Sequence, residues 1–232
     1  SRSDRPPGSE ETPMTPLIDA TEMYLRTVWE LEEERITPIR ARLVERLGLS
    51  APAVSETVAR LEDEGLMRIG ADRTLALTDK GRELATSVMR KHRLAELLLT
   101  EVIGMDWTHV HNEACRWEHV ISDAAEARIA AVLGDPALCP YGNPIPGSST
   151  TVEPVELITM TDAAKQGDEA LIQRISERLQ VDVDALAFIR DHELLPGRRL
   201  GLSADGGFVV VDGGRVRVPT AIADLVYVST AP

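Results

Sequence analysis

Aromatic residues are scarce in this 232-residue chain: two Phe, three Tyr and three Trp make 3% of it, although 43% of its residues are hydrophobic. Aliphatic side chains must therefore fill the core, and few residues remain for recognition by ring stacking. Two cysteines, Cys115 and Cys139, are too few for a disulfide framework and point to a reducing, cytoplasmic setting. No apolar run reaches the roughly 18 residues of a spanning helix, so no membrane partner is expected. Ser1–Pro16 contains four Pro, with no apolar block after Arg2 and Arg5. It reads as a disordered tail rather than a signal peptide.

Net positive charge is also lacking, since the chain carries −13. The deficit is uneven. Residues 36–94 hold 11 Lys/Arg against 8 Asp/Glu, whereas the remainder holds 14 against 30. A locally basic segment in an acidic chain suits phosphate contact by one face only.

Three helical patterns follow the tail. The first covers roughly residues 17–34, with Tyr24, Val28 and Leu31 on one stripe. Thr37 as N-cap and Pro38 at the first position predict a short helix to Leu47, stopped by Gly48. Ser50 caps a third helix, which turns Val54, Val58 and Leu61 inward until Gly65. Leu66–Ile69 and Thr74–Leu77 then predict a β-hairpin with Gly70–Arg73 at its tip. Two long helices are expected next, about 80–102 and about 106–133. A Pro/Gly-rich loop, 139–151, precedes a β tail. There Ala170–Ile175, Ala185–Ile189, Arg199–Leu202, Phe208–Val211, Val216–Val218 and Leu225–Val228 read as strands of a small barrel. The fold class is mainly α with a β tail.

Helix, turn, helix and hairpin in that order make a winged helix-turn-helix, whose second helix enters the major groove by its N-terminal end. Ser50, Ala51, Pro52, Ser55, Glu56 and Thr57 stand at that end. Hydroxyls suit phosphates, methyl surface suits thymine, and Glu56 can accept from a cytosine amine. Arg40, Arg42, Arg60 and Arg73 are the candidate phosphate clamps, and double-stranded operator DNA is the implied partner.

Donor chemistry clusters further along. His111, Cys115, Glu118 and His119 fall at i, i+4, i+7 and i+8, one arc of a helix, beside a core arc of Val110, Ala114, Trp117 and Ile121. His92 and Glu96 share a face of the preceding helix. Any one histidine is more often a packed or solvated side chain, and a lone cysteine a small hydrophobe. Six convergent donors, including three of the five histidines, instead suit a first-row transition metal. Met23 lies off the Tyr24–Val28–Leu31 stripe, so packing does not demand it there.

The stretches T-E-M-Y-L-R-T-V-W-E-L-E-E-E (21–34), T-P-I-R-A-R (37–42), V-M-R-K-H-R-L-A-E (88–96), H-N-E-A-C-R-W-E-H-V (111–120) and Y-G-N-P-I-P-G (141–147) resemble the diphtheria toxin repressor and iron-dependent regulator family, from about Leu17 to Val228. The resemblance implies a winged-helix domain over 17–86, a helical dimerisation and metal-binding domain over 87–153 and an SH3-like β-barrel over 154–232. It implies two metal sites per chain: a primary one from Met23, Cys115, Glu118 and His119, and an ancillary one from His92, Glu96 and His111. The ancillary site is completed by a Glu and a Gln three residues apart, matched to Glu177 and Gln180. Glu56 and Ala53 depart from the family's usual Gln and Thr, which alters the expected operator preference.

The function so implied is an iron(II)-dependent transcriptional repressor controlling iron homeostasis and acting as a homodimer, with two dimers on one operator also possible in such a family. Co²⁺, Ni²⁺, Zn²⁺ or Mn²⁺ are expected to substitute in vitro. Met23 is the single primary donor on the DNA-reading domain, so metal would join it to the dimerisation helices and select the binding-competent geometry. Two other readings stay open: a metal-independent regulator holding structural zinc, and a metalloenzyme, which would need an open coordination position and a nearby acid or base. No enzymatic activity is expected.

Overall fold

A computed structural model describes residues 16–150, 155–166, 169–203, 208–211 and 213–230. The expected disordered tail lies, but for Pro16, outside the described residues.

Helices α1 (Pro16–Glu33), α2 (Arg40–Leu47) and α3 (Ala51–Asp63) lead into a hairpin of β1 (Met67–Ile69) and β2 (Leu75–Leu77). The hairpin register pairs Met67 with Leu77 and Ile69 with Leu75. Gly48 takes a left-handed conformation (φ 65°) that closes α2, and the Ser50 side chain accepts from Ala53 N to start α3. Tyr24, Leu25, Val28, Leu43, Val54, Val58 and Leu61 meet Leu66, Met67 and Leu75 in one hydrophobic cluster.

One boundary differs from the expected. Ile39, not Thr37, precedes α2 as its cap, because Ile39 pairs with Thr74 and the Pro38 carbonyl accepts from Leu75 N. The segment before α2 is thus a third partner of the wing, an interaction that local propensity does not contain.

Helix α4 (Asp79–Leu97) continues as a π-helical turn, Leu98–Ile103, ended by Gly104. The single helix expected over 106–133 is two: α5 (Trp107–Trp117) and α6 (Asp123–Val132). Ser122 caps α6 by accepting from Ala125 N, so a start signal inside the apolar pattern breaks the helix. Glu118 still closes the last turn, N–H to Ala114 O at 3.0 Å, but His119 lies in the turn beyond. The four-donor arc therefore holds for His111, Cys115 and Glu118 and not for His119.

The β tail is a six-stranded antiparallel sheet in the order β3 (Ile158–Thr159), β8 (Val226–Thr230), β4 (Glu169–Ile175), β5 (Arg199–Leu202), β6 (Phe208–Val211), β7 (Gly214–Arg217). Short helices α7 (Met160–Ala164), α8 (Glu177–Gln180), α9 (Val183–Asp191) and α10 (Thr220–Ala223) interrupt it. Ala185–Ile189, expected as a strand, belongs to α9. Asp182 accepts from Asp184 N and Ala185 N at its start, and Ala185, Leu186 and Ile189 pack inward at helical spacing. Ile172, Ile175, Leu186 and Val226 share their core with Leu94, Leu97, Tyr141 and Ile145. The sheet is consequently welded to the helical region rather than hung from it. At Gly142 (φ 81°) an added Cβ would stand 2.0 Å from Gln173 O, so the Pro/Gly loop approaches β4 backbone to backbone.

Candidate metal centre and DNA-reading face

At the N-terminal end of α3, Ser50, Ala51, Pro52, Ala53, Ser55 and Glu56 are all exposed, and Thr57 is half-buried. Their methyl, hydroxyl and carboxylate groups are thus presented on one helix end. Arg73 is exposed at the hairpin tip in a left-handed conformation (φ 67°), and Arg42 is exposed beside Glu45 at 2.9 Å. Arg60 is half-buried and bonds Glu64 and Thr21. Arg40 is half-buried, its Nε enclosed without a protein partner.

The basic excess of residues 36–94 proves a poor measure of this face. Arg46, Arg82, Arg90, Lys91 and Arg93 pair instead with Glu34, Glu32, Glu126, Asp123 and Glu33. Net charge over a window cannot distinguish a phosphate clamp from an internal ion pair.

Donors from α4, α5 and α8 converge beneath α1. His92, Glu96, His111 and Glu177 place one donor atom each within 4.8 Å of one another, and His92, His111 and Cys115 form a second such group. All but Cys115 are buried. His92 Nε2 lies 2.8 Å from Glu96 Oε1 and 3.2 Å from His111 Nδ1, and its other nitrogen lies 2.6 Å from Glu118 Oε2. Cys115 Sγ is 3.5 Å from His111 Nε2.

Burial raises the energy of every charge here, yet opposite charges dominate. Burial alone would lower the His111 imidazole, but Cys115 and Glu96 carry it up to about 9. Burial pushes the Cys115 thiol up, while the Arg26 guanidinium and His111 bring it down to about 5, so it is a thiolate at neutral pH. Arg26 and His92 likewise overcome burial to hold Glu118 at about 2.

A cation fits the four-residue cluster. Glu96 Oε2, Glu177 Oε2 and Gln180 Oε1 are buried and accept no hydrogen bond, Glu177 Oε2 standing 3.4 Å from His111 Nδ1, although buried acceptors are normally satisfied. The Gln180 amide nitrogen donates to Ile175 O at 2.8 Å, fixing which side of that amide is the nitrogen. Imidazole, carboxylate and amide oxygen together suit a borderline divalent metal.

The four donors matched to the primary site are less gathered. Met23, 39% exposed, lines a cleft with Cys115 and His111. Glu118 faces His92 and Arg26 Nη1 (2.7 Å), and His119 Nδ1 lies 2.5 Å from Glu22 on α1. Arg26 also stands 3.5 Å from Cys115 Sγ and 2.6 Å from Glu30.

Sequence reasoning passed over Arg26 and Arg93. Arg26 sits three residues after Met23 and four before Glu30, a spacing that puts all three along one side of α1. Arg93, fully buried, bridges Glu33 and Glu177 and donates to Pro144 O. Nothing in the R-K-H-R run separates it from its exposed neighbours.

An exposed reading helix and wing, joined to a buried cluster of metal donors, define a metal-responsive DNA-binding protein. Residues 16–75 match the family described as "Iron dependent repressor, N-terminal DNA binding domain", and residues 78–147 match "Iron dependent repressor, metal binding and dimerisation domain". The chain is 44% identical over 227 residues to the iron-dependent repressor IdeR of Mycobacterium tuberculosis, covering 93% of this chain and 99% of that protein. It is 46% identical over 215 residues to the diphtheria toxin repressor of Corynebacterium diphtheriae, covering 87% and 92%. Among solved structures, a manganese-dependent transcriptional repressor in complex with manganese superposes with a TM-score of 0.79 at 31% identity, covering 91% of this chain and all of that one. T. acidophilum IdeR gives 0.72 at 30% identity, covering 90% and 97%. The chain belongs to the iron-dependent repressor family of transcriptional regulators, with a DNA-binding and a metal-binding, dimerising region.

Proposed function

We propose that this protein represses transcription when iron(II) is abundant, through two metal sites per chain. The ancillary site comprises His92, Glu96, His111, Glu177 and Gln180. The primary site comprises Met23, Cys115, Glu118 and His119. The observation that carries the reading is the trio of buried oxygens on Glu96, Glu177 and Gln180 that accept no hydrogen bond, set beside two imidazoles.

A bound divalent cation supplies fixed positive charge to which donors from different helices can be tied. The chain's own residues do the rest. Met23 brings α1 to the site, while Cys115, Glu118 and His119 come from α5 and the turn after it. Holding these four together fixes the angle of α1, and with it α3, whose exposed end reads the groove. Ser50, Ala51, Pro52, Ser55, Glu56 and Thr57 meet base edges and nearby phosphates. Arg40, Arg42, Arg60 and Arg73 contact the backbone.

Three units accompany this reading: 17–86 for DNA, 87–153 for dimerisation and metal, and 154–232 as an SH3-like domain supplying Glu177 and Gln180. The active form is a homodimer on operator DNA, with two dimers per operator where half-sites allow. Co²⁺, Ni²⁺, Zn²⁺ and Mn²⁺ replace iron in vitro. The setting is cytoplasmic; no helix among the described residues is long and apolar enough to cross a membrane. Ligation rather than catalysis is assigned to the carboxylates, because Glu96 and Glu118 already engage imidazole and guanidinium partners.

The test is an anaerobic Fe²⁺ titration of operator binding, on DNA selected by the protein from a random pool. Affinity should rise with Fe²⁺ and fall on chelation. Tight binding that survives chelation would instead favour a structural zinc.

A further inference from the structure

Helix α8 is only four residues long, and its side chains face two ways. Glu177 points into the donor cluster, 3.4 Å from His111 Nδ1 and 3.1 Å from Arg93 Nη2. Its neighbours grip the DNA-reading region. Ser176 Oγ donates to Glu34 Oε1 at 2.5 Å, and the other oxygen of Glu34 is paired with Arg46 on α2. Arg178 Nη2 lies 2.9 Å from Glu45, also on α2. Three residues before α8 begins, Arg174 reaches Glu33 at 3.4 Å. The cleft lined by Met23 and Cys115 is bounded by α1, α2, α5 and α8, so the Arg178–Glu45 pair spans its rim.

We propose that Ser176 and Arg178 form a second coupling route, separate from Met23, by which the C-terminal region fixes α2 when Glu177 is engaged in the donor cluster. The inference rests on the proposed metal reading. Helix α2 is the first helix of the helix-turn-helix, so its angle sets the approach of α3. Ser176, Glu34 and Arg46 are each at least nine-tenths buried at the side chain or residue level. In that low-dielectric setting their bonds are stiffer than the half-exposed Arg178–Glu45 pair. Ser176 and Arg178 flank Glu177 in the chain, so a displacement of Glu177 cannot leave both contacts unchanged. The C-terminal region thereby gains a role beyond lending two ligands. It acts as a brace between the donor cluster and the reading unit.

The experiment compares the full-length protein with Ser176→Ala and Arg178→Glu, using Co²⁺ as probe. Three quantities are read: Co²⁺ affinity by calorimetry, amide hydrogen exchange across Arg40–Leu47, and operator affinity with and without Co²⁺. In the parent protein Co²⁺ should slow exchange in α2. In Ser176→Ala, Co²⁺ affinity should stay within about threefold while the added protection of α2 and the gain in operator affinity each fall roughly tenfold, the scale of one hydrogen bond to a charged group. Arg178→Glu should show a smaller loss, restored by adding Glu45→Arg. Should Ser176→Ala fail to fold, the Arg178→Glu and Glu45→Arg pair decides. Unchanged α2 protection in a variant whose parent responds overturns the brace, as does a parent whose α2 ignores bound Co²⁺. If operator affinity of the parent does not respond to metal at all, the proposed function fails instead, and the exchange data still judge the contact.

Discussion

Arg26→Gln should destabilise the protein when divalent metal is withheld and should be rescued by it. Arg26 joins Glu118, Glu30 and Cys115, and its side chain is 10% exposed against 1% for Glu118. Removing one member of a buried ion pair leaves the other charge uncompensated, at a cost of about 3–5 kcal/mol. Gln keeps part of the volume and a donor, so the lower end applies. For a protein of this length that corresponds to a melting temperature roughly 6–12 °C lower. Co²⁺ supplies positive charge to the same thiolate and carboxylate, so the gain in Tm on adding Co²⁺ should be larger in the variant than in the parent. Without Arg26, burial should also lift the Cys115 thiol from about 5, measurable as thiolate absorbance near 240 nm during a pH titration. Calorimetric scans with chelator and with excess Co²⁺ check the first part. Equal Co²⁺-induced gains in both proteins would refute the view that Arg26 and metal share these donors.

Met23→Ala should leave operator binding weak at every Fe²⁺ concentration while the ancillary donors still bind metal; an unchanged response in a gel-shift titration removes Met23 from the switch. Metal uptake by His111 requires its neutral form, and its imidazole titrates at about 9, so binding at pH 7 should release a proton and strengthen as pH rises towards 9, read by calorimetry in buffers of different ionisation enthalpy. The same raised value makes protonated His111 a support of the metal-free fold that is fully present below its ordinary pKa of about 6.5 and lost as pH rises through about 9. Denaturant midpoints with chelator should fall across that window. Gly81→Ala should cost about 3 kcal/mol or more, because its Cβ would stand 1.9 Å from Leu66 O; urea melts measure it. Ser50→Ala should lose about 1 kcal/mol of stability through the missing cap of α3, again in urea.

The winged helix was legible because each element carries its own local signal: Gly48 and Ser50 delimit the turn, and Val54, Val58 and Leu61 share one buried face. That His92 and Glu96 share a face was legible for the same reason, since they lie one turn apart on α4, whereas the approach of Glu177 to them has no local signal. Long-range closure was not. Thr37 and Pro38 look like a helix start until Leu75 N–H bonds the Pro38 carbonyl and Ile39 bridges to Thr74. Ala185–Ile189 is equally apolar as strand or helix, and only the Asp182 cap and the packing of Leu186 and Ile189 separate the two. Basic residues were the least legible. Arg93 and Arg46 count towards the basic excess of residues 36–94, yet each side chain is buried against a glutamate from another element.

His92 carries one consequence for signalling. Its two ring nitrogens face opposite ways, Nδ1 to Glu118 and Nε2 to Glu96 and His111. One imidazole thus belongs to the surroundings of both sets of donors. Any ion that claims Nε2 changes what Glu118 meets, and any ion that claims Glu118 frees Nδ1 and alters the basicity of Nε2. Under the two-site function proposed above, filling one set of donors is therefore expected to change the metal affinity of the other, with the His92 ring as the shared element.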